Sequence, residues 1–149
     1  MDSLKSFLNS KNYTRVKLKL TITNHLELEA TINGIPGRFI LDTGASNTCI
    51  GMDRIEFFNL DFEVSDIKAA GAGALEMETL ISTNNTIEIG TWKRRRQKIV
   101  LFDLVHVNQA LTIHDSQPVD GIIGADLLKK GRAVIDYSKK RLYLKPGSP

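Results

Sequence analysis

Strict alternation near the N-terminus is the feature that most constrains this chain. Val16, Leu18, Leu20 and Ile22 alternate with Lys17, Lys19, Thr21 and Thr23. After Asn24-His25, Leu26, Leu28, Ala30 and Ile32 alternate with Glu27, Glu29, Thr31 and Asn33. A period of two puts the apolar side chains of each run on one face, the pattern of a half-buried strand. Asn33-Gly34 supplies residue types that tolerate positive φ, so a hairpin turn is expected there. The next apolar run, residues 38–41, leads straight into Asp42-Thr43-Gly44.

Further strands are expected at 86–88 and 98–102, and a final hairpin at 133–137 and 141–145 around a polar turn at 138–140. The small residues 69–74 read as a flexible hairpin tip. Helical spacing is short and scarce. It covers one or two turns at 52–59 with Asp53 as N-cap, residues 105–113, and residues 126–130 closed by Gly131. Many short strands with frequent turns predict a mainly β fold, a closed or nearly closed barrel with one or two short helices. A chain of 149 residues fits one domain. Its expected bounds are 13–146, with an N-terminal extension at 1–12 and a tail at 147–149.

Composition narrows the functional classes. Apolar residues make up 42% and charged residues 25%, the balance of a globular protein. A net charge of +3 is too small for a dedicated nucleic-acid binder. One cysteine, Cys49, cannot form an intrachain disulfide. No run approaches the 18 apolar residues of a membrane span, and residues 1–10 lack the apolar core of a signal peptide. A cytoplasmic location with no membrane partner is the expectation.

Asp42 is the first candidate for chemistry. It follows Ile40 and Leu41 at the end of an apolar strand, where partial desolvation would favour the neutral carboxyl. Thr43 and Gly44 can turn the chain sharply, and Gly44 permits close approach of a substrate backbone. On this tripeptide alone, a structural turn cap is the stronger reading. A second segment, residues 119–128, reads as an apolar strand, Gly124, and a helix that Asp126 caps before Leu127.

Together these segments resemble the retropepsin-like aspartic peptidases, especially the single-domain bacterial members. The resemblance rests on residues 40–46, the glycine-rich hairpin at 71–73, residues 122–128 and the two closing strands, and it spans roughly residues 16–145. It implies an acid-protease-type barrel working as a homodimer on peptide or protein substrates, without a cofactor. Asp42 would be the catalytic residue, Thr43 would brace the active-site turn against its twin, and Gly44 would bind substrate backbone. Ser46, Ala70, Gly71, Ala72, Gly73, Ile122 and Ile123 would complete the substrate-binding set, with Ile122 and Ile123 also supporting the turn. Viral relatives often carry an acid at the position of Ser46 and an arginine at that of Ala125. Both are absent here, which leaves no unpaired charge.

Hydrolysis by this route needs two carboxylates sharing a proton. The chain has one Asp-Thr-Gly, so the second must come from another copy. The alternative from a different class is a retropepsin-like peptide-binding or dimerisation module that no longer cuts. A third reading, a basic barrel that binds nucleic acid through residues 93–98, is outweighed by a solvated edge or turn. His25, His106, His114 and Cys49 lack metal-ligand spacing, so no metal is expected. No histidine is marked as a base for Cys49, which reads as a small buried hydrophobe.

Overall fold

The computed structural model describes residues 3–64, 69–71, 74–77 and 79–147. Its strands are β1 (Thr14–Lys17), β2 (Lys19–Leu20), β3 (Leu26–Ile32), β4 (Ile35–Leu41), β5 (Cys49–Gly51), β6 (Glu63–Val64), β7 (Ala69–Gly71), β8 (Ala74–Met77), β9 (Leu80–Ile89), β10 (Trp92–Phe102), β11 (Gly121–Ile123), β12 (Val134–Asp136) and β13 (Arg141–Leu144). Three helices join them: α1 (Leu4–Ser10), α2 (Val105–Ile113) and α3 (Ala125–Lys130).

Six strands close a barrel in the order β3-β4-β11-β5-β10-β9, and β9 pairs back to β3. Strand β11 lies between β4 and β5, parallel to the first and antiparallel to the second. The segment that joins β4 to β5 carries Asp42, so an inserted strand supports the turn from below. The interior holds Ile32, Phe39, Ile50, Phe58, Ile87, Ile99, Leu101 and Ile123, all fully buried. Burying one such side chain contributes about 1.5–3 kcal/mol, which is why the barrel closes around these positions.

The Asn33-Gly34 turn forms as expected, with φ of 52° and 84° and Ile32 paired to Ile35. Helix α2 has the predicted bounds. The first alternating run does not form one strand. Strand β1 pairs with β13, whereas β2 pairs with β3. The chain changes sheets at Leu18, which is buried. The strand at 86–88 extends to Leu80–Ile89, and that at 98–102 begins at Trp92. The helical stretch after Gly51 is a 3-10 turn, Met52–Arg54, with Gly51 rather than Asp53 at the N-cap.

Helix α2 packs against the barrel ahead of β11. Leu111 of α2 buries against Ile40 and Val119. The Asn108 amide clamps Val119, accepting from its N–H at 2.8 Å and donating to its carbonyl at 3.1 Å. Ile40 sits two residues before Asp42, so α2 stiffens the strand that delivers it.

Candidate active site

Asp42 is the first residue beyond β4. Its N–H donates to the Ile123 carbonyl at 3.0 Å, tying the turn to β11. The Ala45 N–H donates to the Asp42 carbonyl at 3.2 Å and tightens the turn. The Gly44 N–H donates to Asp42 Oδ1 at 2.9 Å, which fixes the carboxylate rotamer. A Cβ on Gly44 would lie 3.3 Å from that oxygen, so glycine leaves the carboxylate room. Thr43, Gly44 and Ser46 are exposed beside it.

The sequence predicts a partly desolvated Asp42, and here the structure differs. Within one chain Asp42 is exposed. Its strand is buried up to Leu41, but the turn lifts the carboxylate off the barrel end. Among the described residues, none takes the Asp42 carboxylate out of water.

Asp126 also differs from expectation. Helix α3 starts at Ala125 with Gly124 as N-cap, so Asp126 lies inside the first turn and is not the cap. One oxygen, Oδ1, accepts from the Thr48 N–H, the Thr48 hydroxyl and the Leu127 N–H, each at 2.8 Å. The Gly124 N–H donates to Thr48 Oγ1 at 3.1 Å, and the Ala125 N–H to the Ala45 carbonyl at 2.7 Å. Gln97 joins from β10, its Nε2 3.4 Å from Asp126 Oδ2 and its Oε1 accepting from Lys130 Nζ at 2.8 Å. Asp126 thus pins the far end of the Asp42 loop to α3. Sequence reasoning missed this brace because Thr48 lies 78 residues away along the chain.

Gly124 is sterically required. A Cβ there would stand 2.7 Å from the Ala45 carbonyl oxygen and 2.8 Å from the Asn47 carbonyl. Ile123 is fully buried in the main core and Ile122 is buried beside Cys49, so both hold the turn from beneath. Ala70 and Gly71 lie in β7, which pairs with β8 as a hairpin. Ala72 and Gly73 fall outside the described residues.

Cys49 is buried beneath the same loop. Burial, then the nearby charges of Asp126 and Asp42, pushes its thiol from an ordinary 9.0 to about 12. A thiol held protonated at neutral pH is a poor nucleophile. Among the described residues, no group of three or more His, Cys, Asp or Glu could hold a metal ion, and no helix is long and apolar enough to cross a membrane.

Two concavities flank this architecture. A cavity of about 930 Å³ is lined by Leu20, Glu27, Arg38, Pro118 and Asp120 among others, and by no residue of the Asp42 turn. A smaller groove of about 310 Å³ touches Thr43 and is lined by Ala125, Leu128, Ala133 and Ile135. The second adjoins the Asp42 turn through Thr43.

The Aspartyl protease family profile matches residues 28–127, from β3 through the Asp42 turn to Asp126 and Leu127. The chain belongs to the aspartyl protease family. Its fold is retropepsin-like. A retropepsin-like aspartic protease from Rickettsia conorii superposes with a TM-score of 0.60 at 18% identity, over 89% of this chain and 90% of that one. The EIAV protease, solved with the inhibitor HBY-793, gives 0.56 at 20% identity over 74% and 90%. The retroviral protease-like domain of Ddi1 from Leishmania major gives 0.56 at 19% identity over 84% and 94%. No curated protein matches this sequence.

Proposed function

We propose that this aspartyl protease family member is an endopeptidase whose active site forms between two copies of the chain, each giving one Asp42. The observation that carries the reading is the Asp42 carboxylate. It is exposed on one chain, yet held in a single rotamer by the Gly44 N–H at 2.9 Å. A two-fold axis beside the turn brings the two carboxylates together and removes both from water, supplying the desolvation that one chain lacks.

Two carboxylates brought into contact hold one proton between them, the arrangement of aspartic-protease dyads. The ionised Asp42 takes a proton from a water between them, and that water attacks the peptide carbonyl. The protonated Asp42 donates to the carbonyl oxygen, and a proton then passes to the leaving amine as the C–N bond breaks. Thr43 braces the turn against its twin. Gly44, Ser46 and, from β7, Ala70 and Gly71 line the peptide, while Ile122 and Ile123 hold the turn from below.

The apolar groove beside Thr43 supports this reading, because its position fits the partner's approach. Strand β12 ends its three-stranded sheet and leaves an edge there. A cytoplasmic location is part of the same reading. The test is peptide-library cleavage by the wild-type and Asp42→Ala proteins. Wild-type cleavage, blocked by a pepstatin-type inhibitor and absent from the variant, is expected. Cleavage by pure Asp42→Ala protein would overturn the mechanism.

A further inference from the structure

Strand β10 departs from regular alternation at residues 93–96. Lys93, Arg94, Arg95 and Arg96 are all exposed in succession, whereas a regular barrel strand would turn every second side chain inward. The cause is a bulged register. Pairing with β9 shifts between Arg94 and Gln97 and again between Gln97 and Ile99, and Arg96 has a φ of 54°. Bulges re-aim side chains, and this one aims consecutive cations at solvent. Lys98 adds a fifth exposed charge. Among the described residues, Lys93 alone of the five has an ion-pair partner, Glu88 at 3.9 Å.

The same stretch has an open edge. Strand β5 pairs with β10 only at residues 100–102, so residues 93–98 have a strand neighbour on one side only among the described residues. A single lysine is enough to protect such an edge from unwanted pairing. Five cations along a strand with one open side go well beyond that. They match an extended acidic peptide, which pairs its backbone along the edge and its carboxylates with the arginines. Nucleic acid fits less well. The neighbouring aromatic, Trp92, is buried and donates its Nε1–H to the Lys145 carbonyl, so its ring is closed to base stacking.

We infer that residues 93–98 form a docking site for an extended acidic peptide segment, and that substrates are recruited through it. The recruitment half rests on the peptidase reading; the binding half does not. Gln97 points inward from the same bulge to the Asp126 brace, so the docking strand and the active-site loop share a hydrogen-bonded neighbour.

The experiment measures fluorescence anisotropy of a short labelled oligoglutamate against the Asp42→Asn protein, which cannot consume it. Combined replacement Arg94→Gln, Arg95→Gln and Arg96→Gln is expected to weaken binding by about tenfold, since each exposed ion pair contributes modestly. A control with Lys17→Gln, Lys19→Gln and Lys140→Gln removes the same net charge elsewhere and should leave binding unchanged. Added salt should weaken the wild-type complex. Equal losses in the two triple variants, or insensitivity to salt, overturn the site. Tighter binding of a length-matched oligouridylate than of the peptide overturns the peptide assignment. Recruitment is then read separately. Cleavage of a substrate with an appended acidic tail should lose kcat/KM in the arginine variant, whereas the untailed substrate keeps it. Equal loss on both substrates overturns recruitment alone.

Discussion

Replacing Gly124 with alanine would drive a methyl group into the active-site loop from beneath. The added Cβ would meet the Ala45 carbonyl oxygen at 2.7 Å and the Asn47 carbonyl at 2.8 Å. Both obstacles are backbone, so no side chain can rotate away. Relief requires the loop to move off α3, which stretches the Gly124 N–H bond to Thr48 Oγ1 and the Ala125 N–H bond to the Ala45 carbonyl. Overpacking costs roughly 1–3 kcal/mol and a weakened hydrogen bond about 1 more, giving about 2–4 kcal/mol in total. For a chain of this size that lowers the melting temperature by roughly 10 °C. The assay is thermal and urea unfolding beside Gly147→Ala, where an added Cβ meets nothing within 4 Å. Peptide cleavage by Gly124→Ala should fall more than its folded fraction does, because the displaced loop carries Asp42. A Gly124→Ala protein as stable and active as the Gly147→Ala control would refute the idea that this close contact sets the loop.

Asp126→Ala leaves three donors on Thr48 and Leu127 without their acceptor and should destabilise by about 2–4 kcal/mol in urea unfolding. Asp126→Asn keeps an acceptor oxygen and should cost about 1 kcal/mol. Cys49 makes stability fall at alkaline pH. The unfolded thiol releases its proton above about pH 9, whereas the folded one keeps it until about 12, so the native state binds more protons in that window. Stability should drop there by at most about 1.4 kcal/mol per pH unit from this group, and Cys49→Ala should remove that share of the slope.

The barrel was legible because its strands carry local signatures. The strand at 26–32 and the Asn33-Gly34 turn need only neighbours in sequence, and both form, although Glu27 is buried against Arg38 instead of facing solvent. Helix α2 was legible for the same reason. The first run failed as one strand because Leu18 belongs to a crossing between sheets, a fact set by the distant partners β13 and β3. Strands β9 and β10 were read short because polar residues fill them. Ser82, Asn85 and Gln97 are buried, with Asn85 Nδ2 donating to Ser82 Oγ at 3.0 Å and to the Gln97 carbonyl at 3.2 Å. Buried polar groups that satisfy one another look like surface in a sequence. The place of Asp42 at the end of an apolar strand is legible in the sequence, but its environment is not. Ile40 and Leu41 predict desolvation, yet the turn leaves the carboxylate exposed.

That exposed carboxylate makes a mixing experiment the most direct test of the two-chain site. Wild-type chains are mixed with Asp42→Asn chains at fixed total concentration, allowed to exchange, and assayed for peptide cleavage. If each site needs Asp42 from both chains, activity follows the square of the wild-type fraction and falls to about a quarter in an equal mixture. A linear fall, to about half, would mean that each chain works alone and would contradict the account.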